Sequence, residues 1–238
     1  MSQAYQVGES IGIVGGLGPL ASAEFLKTIY ECNLEDCEQF SPKVYMFSDP
    51  TFPDRTEAFL AGQTDELLQR LTDALQQLSV LGASKIVICC ITIHYLLPRV
   101  PEHLRTRIIS LLDVIFDRLE KSEKRHLLVC SSGTRKLGLF QNHSRWHDAQ
   151  RFVVLPNEDD QNVIHRELIY PMKTTVNAVK QVPLLKSLLK KYEVDSFIVG
   201  CSEIHMLAKL PAFADSQNEF DCIDPLAIIA REIYKESI

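Results

Sequence analysis

Residues 85–90, KIVICC, and residues 196–201, SFIVGC, are short apolar stretches that each end in a cysteine. Runs of this length that are rich in β-branched residues are typical of buried strands in a parallel sheet. Two stretches of the same character, residues 10–16, SIGIVGG, and residues 126–130, HLLVC, lead into turns of small residues. Together with residues 43–48, KVYMFS, these stretches predict five short strands.

The spacing of these strands repeats along the chain. Gly16 and Cys90 are 74 positions apart, and Ser131 and Cys201 are 70 positions apart. Each half opens with a strand and a small-residue turn, and closes with an apolar strand that ends in cysteine. Any α/β chain can show a similar repeat of strands and turns by chance. The repeat favours an α/β fold of two similar lobes, each a parallel sheet flanked by helices, with an active site in the cleft between them.

Segments with the periodicity of an α-helix lie between the strands in both predicted lobes. Thr64 is a candidate N-cap for one helix, and Pro183 interrupts another. The predicted helices cover residues 20–33, 64–81, 104–119, 160–169, 175–192 and 225–235. We assign residues 1–113 and 216–238 to the first lobe and residues 114–215 to the second, so that the last helix returns to the first lobe.

Composition and charge exclude several classes of protein. Of the 238 residues, 46% are hydrophobic and 24% are charged, as in ordinary soluble globular proteins. The net charge of −6 disfavours a nucleic-acid partner, and the lack of an apolar run of about 18 residues disfavours a membrane partner. Residues 1–10 are polar and lack the pattern of a signal peptide. The cysteines number seven, an odd count that does not suit a full set of disulfide pairs. We therefore expect a cytoplasmic protein with reduced thiols.

The expected chemistry depends on Cys90 and Cys201. In open parallel sheets ligands bind at the carboxyl ends of the strands, where both cysteines are predicted to lie. Each precedes a predicted helix, whose N-terminal partial charge favours the thiolate. Two facing lobes would place the sulfurs on opposite sides of one carbon atom, so that one takes a proton and the other returns one with inversion. Buried cysteine is also common as a small apolar residue. We interpret the other five cysteines in this way: Cys32, Cys37, Cys89, Cys130 and Cys222.

Five motifs occur in order across nearly the whole chain: GIVGGLGP at 12–19, DPTFPDR at 49–55, CITIH at 90–94, SSGT at 131–134 and GCSEI at 200–204. Together they resemble the aspartate/glutamate racemase superfamily, and most closely its aspartate racemase branch, which has GGMGP, a PDR loop, CNTAH and GCTE. The resemblance implies a pyridoxal-independent racemase that needs neither a cofactor nor a metal. It also implies two catalytic cysteines, which match Cys90 and Cys201, and a homodimer.

The resemblance assigns substrate-binding residues as well. Arg55 matches the arginine of the PDR loop, which binds a substrate carboxylate, a task that suits forked donors. Lys173 falls where the family has a second carboxylate-binding cation. Thr92 matches the threonine of CNTAH, and Thr134 matches the threonine that ends the small-residue turn of the second lobe. A solvated surface charge is the alternative interpretation of Arg55 and Lys173.

Several positions depart from the family pattern. Ile91 stands where the family has an asparagine that contacts the amino acid, which puts the substrate and its affinity in question. Ser202 replaces a threonine and keeps the hydroxyl, and we count both residues among the substrate-binding candidates. Ile93 replaces an alanine, and His205 stands where the aspartate branch usually has proline.

We expect a racemase that acts on aspartate, with glutamate as the weaker candidate. Three alternatives stay open from the sequence. The C-x3-H pairs Cys90/His94 and Cys201/His205 could hold zinc in a Cys/His hydrolase. A non-catalytic amino-acid binding protein would explain Ile91. Another reaction of the same superfamily, that of a hydantoin racemase, a decarboxylase or an isomerase, would keep the fold.

Overall fold

Two parallel sheets form the framework of the protein. The computed structural model describes residues 10–214 and 220–234. Within them the strands are β1 (Ile11–Gly15), β2 (Val44–Ser48), β3 (Lys85–Ile88), β4 (Ile108–Ile109), β5 (His126–Cys130), β6 (Val153–Val154), β7 (Ser196–Gly200) and β8 (Asp221–Ile223). One sheet has the strand order β2-β1-β3-β4 and the other β6-β5-β7-β8. The polar segment at residues 1–10 lies outside the described residues, apart from Ser10.

Helices connect the strands in both halves of the chain. The α-helices of the described residues are α1 (Pro19–Cys32), α2 (Arg55–Leu60), α3 (Asp65–Val80), α4 (Glu102–Arg105), α5 (Leu111–Leu119), α6 (Ser132–Lys136), α7 (Trp146–Ala149), α8 (Glu158–Val163), α9 (Tyr170–Met172), α10 (Val182–Lys191), α11 (Ser202–Ala208), α12 (Pro211–Ala214) and α13 (Pro225–Glu232). Turns of 3₁₀ helix cover Glu38–Phe40, Thr92–Arg99, Gln150–Phe152 and Ala178–Gln181, and a π-helix covers Ile164–Ile169. No helix in this part of the chain combines the length and apolar character that crossing a membrane requires.

The two sheets have the same strand order and direction. β1 pairs in parallel with β2 and β3, and β5 pairs in parallel with β6 and β7. Every residue of β1, β5 and β7 is buried, as expected for parallel strands that are covered on both faces. In each half the third strand, β3 or β7, leads directly to a candidate cysteine. The predicted fold of two similar α/β lobes is confirmed.

The helix α3 shows how the local sequence produces the packing. Its apolar side chains recur at helical spacing, and the helix packs against β1 and β2. The buried residues are Leu67, Leu71, Ala74, Leu75 and Leu78. Thr64 stands at the N-cap as predicted, but its hydroxyl accepts a hydrogen bond from Nη1 of Arg99 at 2.8 Å instead of capping the helix.

Short elements account for most differences from the predicted segments. Residues 104–119, predicted as one helix, are divided because Ile108–Ile109 forms β4 beside β3. Residues 49–55, predicted as a loop, end in the first turn of α2, where the Asp54 side chain accepts hydrogen bonds from two backbone N–H groups. The sequence pattern does not predict β6 or β8, since strands of two or three residues are too short to show a period.

A shared core joins the two lobes. One hydrophobic cluster contains Phe25 of α1, Phe116 of α5 and Ile198 of β7. The last helix, α13, packs against α1 and α5, so its predicted return to the first lobe agrees with its contacts. β8 differs from the proposed division, which assigns residues 216–238 to the first lobe, because it completes the sheet edge beside β7. The boundary at residue 216 lies outside the described residues, and the division as a whole stays a prediction.

Candidate active site

A cleft at the carboxyl ends of the two sheets brings most of the predicted site residues together. Five of the eight candidates line it: Arg55, Cys90, Thr92, Lys173 and Cys201. The cleft contains about 310 Å³ of space that no protein atom fills, part of which is open to solvent. Residues that are distant in sequence and belong to different lobes therefore border one space.

Cys90 lies just beyond the end of β3, buried at the wall of the cleft. Its backbone carbonyl accepts a hydrogen bond from Nδ1 of His94 at 2.9 Å. Nε2 of the same ring accepts from the N–H of Leu111 at 3.1 Å, so the proton is on Nδ1 and the imidazole is neutral. Burial lowers the pKa of His94 to about 4. Both ring nitrogens of His94 are therefore engaged with the backbone.

Cys201 occupies the matching place in the second lobe, between β7 and α11. Its Sγ donates a hydrogen bond to Oε2 of Glu203 at 2.9 Å. Burial raises the pKa of the Cys201 thiol well above its ordinary value, and the Glu203 carboxylate raises it further. The expectation that a helix N-terminus favours the thiolate is wrong for Cys201, because burial and the neighbouring charge outweigh the seven-residue helix α11.

Glu203 lines the cleft, although sequence reasoning does not single it out. Its position inside the GCSEI motif, two residues after the cysteine, is the signal that could have identified it. The side chain is 2% exposed. Oε2 accepts from the Cys201 thiol and, at 3.3 Å, from the Ser202 hydroxyl. Oε1 is buried and has no hydrogen-bond partner among the described residues.

Gly18 allows the Glu203 carboxylate to approach the first lobe. The glycine has a φ of 153°, a conformation that residues with a side chain rarely adopt. A Cβ atom at this position would lie 2.7 Å from Oε1 of Glu203. Gly18, the last glycine of the GIVGGLGP motif, is therefore required for the close approach of Glu203 to the first lobe.

Two cations border the cleft, one from each lobe. Nη1 and Nη2 of Arg55 donate to the carbonyls of Pro53 and Leu17 at 2.9 and 2.7 Å, while its Nε has no partner within residues 10–214 and 220–234. Nζ of Lys173 donates to Oδ2 of Asp54 at 3.0 Å. Burial alone would lower the pKa of Lys173, but the hydrogen bond and charge of Asp54 outweigh burial and raise it. Both side chains are therefore fixed cations in the cleft.

A set of hydroxyl groups links the lobes at the wall of the cleft. Oγ1 of Thr92 lies 3.0 Å from Oγ of Ser131 and 2.9 Å from Oγ1 of Thr134. Ser131 also caps α6 by accepting from the N–H of Thr134. Thr92 and Ser131 border the cleft, whereas Thr134 is fully buried behind them.

Three of the predicted substrate-binding residues lie outside the cleft wall. Ile91 packs into the core that the two lobes share, because the chain directs Cys90 toward the cleft and the next side chain toward the core. Ser202 is buried and donates its hydroxyl to Glu203. Together with Thr134, these residues support the wall, and the geometry does not support direct substrate contact for any of the three.

His165 lines the cleft from the π-helix Ile164–Ile169. Its Nδ1 accepts from the N–H of Ser132 at 3.4 Å. Burial and, next, the charge of Lys173 lower the pKa of His165. No motif marks this histidine, since its segment has the sequence pattern of an ordinary helix. The π-helix itself is a feature that is frequent at functional sites.

The two C-x3-H pairs do not converge on a zinc site. His94 binds the backbone through both ring nitrogens. Nε2 of His205 lies 3.0 Å from Oγ1 of Thr28, and its Nδ1 lies 2.6 Å from Oδ2 of Asp224. In the part of the chain that the structure describes, no group of three or more His, Cys, Asp or Glu side chains could hold a metal ion. The zinc alternative therefore has no geometric support.

A known family has the combination of this fold and these motifs. The family model described as Asp/Glu/Hydantoin racemase matches residues 14–233. Because the match spans most of the sequence, the chain belongs to this family, and the resemblance seen in the motifs is confirmed. Membership of a racemase family implies an isomerase.

Several solved structures have a similar two-lobed fold. The aspartate racemase of Picrophilus torridus is 20% identical, with a TM-score of 0.80 over 96% of this chain and 94% of that chain. Glutamate racemase from Campylobacter jejuni subsp. jejuni is 18% identical, with a TM-score of 0.61 over 96% and 86% of the two chains. Allantoin racemase from Klebsiella pneumoniae is 11% identical, with a TM-score of 0.56 over 96% and 87%. At these identities the likeness shows the fold alone.

Proposed function

We propose that the protein is a cofactor-independent racemase that interconverts L- and D-aspartate by proton transfer between two cysteines at Cα, with glutamate as the weaker candidate. The observation that carries the proposal is that Cys90 and Cys201, from opposite lobes, border one cleft together with two cations. A carbon atom held between two thiols can lose a proton on one side and gain one on the other, which inverts its configuration.

Arg55 and Lys173 supply the charges that a dicarboxylic amino acid requires. Nε of Arg55 can donate to one carboxylate, and Lys173 can exchange its bond to Asp54 for a bond to the other. An apolar amino acid would leave one of these cations unmatched, which favours an acidic substrate. Both charges also stabilise the negative charge that develops on the α-carboxylate as the Cα proton leaves.

The two thiols carry out the proton transfers in both directions. In one direction the Cys90 thiolate takes the Cα proton, the electron pair of the C–H bond delocalises into the α-carboxylate, and the Cys201 thiol protonates the opposite face. In the other direction Cys201 passes its proton to Oε2 of Glu203 and takes the Cα proton as the thiolate, while the Cys90 thiol donates. Glu203 then releases its proton to solvent, which leaves the Cys90 thiolate and the Cys201 thiol from which the first direction starts. The raised pKa of Cys201 suits a resting thiol.

Incubation with L-aspartate or L-glutamate followed by chiral chromatography tests the proposal. The purified protein should form the D-enantiomer, faster with aspartate, without added pyridoxal phosphate and in the presence of EDTA. Two results would overturn the mechanism: failure to racemise either amino acid, or loss of activity on chelation with recovery on addition of zinc.

We also propose a cytoplasmic homodimer whose partner is a small molecule, as the composition and the family motifs led us to expect. All seven cysteines are free thiols, which suits a reducing compartment. Sedimentation equilibrium should give twice the chain mass of 27.0 kDa. A mass equal to that of one chain would contradict the dimer without affecting the proposed chemistry.

A further inference from the structure

Three buried polar atoms that lack a partner in the described part of the chain lie at or next to the cleft: Nε of Arg55, Oγ of Ser132 and Oε1 of Glu203. Buried polar atoms are normally hydrogen-bonded, so each exception calls for an explanation. A ligand in the cleft would provide one. Nε is a donor and matches a carboxylate, whereas Oε1 is an acceptor on an acidic group and matches a cationic donor.

The surroundings of Glu203 fix which oxygen is available. Oε2 accepts from Sγ of Cys201 at 2.9 Å and from Oγ of Ser202 at 3.3 Å. Oε1 lies close to Gly18, where an added Cβ atom would be only 2.7 Å from it. The carboxylate is therefore hydrogen-bonded through Oε2, while Oε1 is buried and has no hydrogen-bond partner among the described residues.

The charges along the cleft leave Glu203 as the anion that can receive a cation. Asp54, the other carboxylate among the described lining residues, caps α2 through Oδ1 and has both Lys173 and Arg55 beside it, so positive charge stays next to it even after Lys173 turns to the substrate. Arg55 and Lys173 match the two carboxylates of a dicarboxylic acid. The remaining charge of an acidic amino acid is its α-ammonium group, and a buried carboxylate that lacks a partner on one oxygen is the natural counterpart.

The hydroxyl groups of the cleft are weaker candidates for this contact. Thr92 and Ser131 lie 3.0 Å apart and bind each other. A hydroxyl can accept a hydrogen bond from an ammonium group, but it does not neutralise the charge. Hydrogen bonds between two charged groups are the stronger ones.

We propose that Oε1 of Glu203 binds the α-ammonium group of the substrate, so that the site requires an acid with a free α-amino group. This inference rests on the proposed racemase function and specifies its substrate class. With the ammonium at Oε1 and Cys201 at Oε2, a single carboxylate sets the position of Cα relative to the Cys201 sulfur. Hydantoins, 2-hydroxy acids and N-acyl amino acids lack the charge and should bind poorly.

Binding to inactive protein separates this role from proton transfer. Isothermal titration calorimetry would compare Cys201→Ala with Cys201→Ala/Glu203→Gln, using L-aspartate, succinate, which lacks the amino group, and 2-hydroxysuccinate. The added Glu203→Gln change should weaken L-aspartate binding at least about tenfold and leave succinate binding equal or tighter. Adding Glu102→Gln instead, on an exposed residue of α4, controls for the loss of one negative charge.

The outcomes distinguish this inference from the proposed function. Unchanged L-aspartate binding, or an equal loss for L-aspartate and succinate, would overturn the ammonium assignment while the wild-type protein still forms D-aspartate. If circular dichroism shows that the double variant is unfolded, the wild-type protein decides. It must bind L-aspartate at least about tenfold more tightly than succinate, and equal affinity overturns the inference. A wild-type protein that neither binds nor racemises aspartate overturns both.

Discussion

Cys90 and Cys201 occupy matching places in the two lobes but have different neighbours. Each follows the third strand of its lobe and borders the same cleft. His94, four residues after Cys90, is neutral and bonded to the backbone. Glu203, two residues after Cys201, accepts a hydrogen bond from the thiol. The Cys201 sulfur therefore has a proton acceptor beside it. Cys90 is instead followed by a histidine whose ring forms hydrogen bonds with backbone groups.

This difference shows that a repeated fold can carry unequal chemistry. Burial and the Glu203 carboxylate raise the pKa of Cys201, so that this residue becomes a base only when Glu203 takes its proton. We therefore expect the two thiols, which act on opposite faces of the substrate, to differ in their need for Glu203 as a proton acceptor. Single substitutions in each lobe should reveal this difference.

The largest effect should come from removing either thiol. Cys90→Ala and Cys201→Ala should each reduce racemisation by about 10⁴-fold in both directions, because inversion needs both a proton acceptor and a proton donor. Each variant keeps one base, so in heavy water it should exchange the α-hydrogen of one enantiomer without inversion. The two variants should act on opposite enantiomers, which NMR can follow.

Cys89→Ala is the matched control for this experiment. Cys89 is fully buried in the core that the lobes share, whereas Cys90 borders the cleft. The Cys89 variant should keep most of the activity. Normal racemisation by either Cys90→Ala or Cys201→Ala would break the two-base comparison.

The second prediction tests whether the Glu203 carboxylate is the proton acceptor for Cys201 alone and not for Cys90. In the Cys90→Ala background, adding Glu203→Gln should reduce α-hydrogen exchange by about 10³-fold at saturating aspartate, since Cys201 then lacks its proton acceptor. In the Cys201→Ala background the same change should leave exchange by Cys90 within about fivefold. Equal losses in the two backgrounds would show that the thiols share one proton acceptor.

Much of the fold and part of the site could be predicted from the sequence, because the signals are local. Buried strands are visible as apolar β-branched runs, and their repeat predicts the two lobes. The motifs contain Cys90, Cys201 and Arg55, the family resemblance adds Lys173, and the structure gathers all four residues in one cleft.

The properties that sequence reasoning missed depend on tertiary contacts. The raised pKa of Cys201 results from burial and from the direction of the Glu203 side chain. His165 reaches the cleft through a π-helix whose sequence looks helical in the ordinary way. Whether Ile91 faces the cleft or the core depends on the bend at Cys89, directly after β3, which no periodic pattern specifies.

The third prediction uses acid to test the structural role of His94. Burial lowers its pKa from 6.5 to about 4 in the folded protein. Between these pH values the unfolded chain binds a proton that the folded protein does not, so stability is complete above pH 6.5 and falls as the pH falls. The loss should reach roughly 3 kcal/mol near pH 4.

Urea unfolding of the wild-type protein and of His94→Gln, at pH 7 and near pH 4.5, measures this contribution. The variant should lose roughly 2 kcal/mol less than the wild type between the two pH values. His147→Gln, at an exposed position, should keep the wild-type acid loss. Equal acid losses in His94→Gln and wild type would contradict a buried neutral His94.

The smallest predicted effects are changes in KM on replacing Arg55 or Lys173, and they should differ between these two cations. Arg55→Ala should raise KM for aspartate by about 10- to 100-fold, since a lost charged hydrogen bond costs about 1.5–3 kcal/mol. Arg55→Lys should recover little, because the guanidinium holds two carbonyls through Nη1 and Nη2 and still offers Nε. Lys173→Ala should raise KM less, because Lys173 must give up Asp54 before it can bind a carboxylate. Steady-state kinetics of the three variants give the order, and a larger rise in KM for Lys173→Ala would mean that its bond to Asp54 does not compete with the substrate.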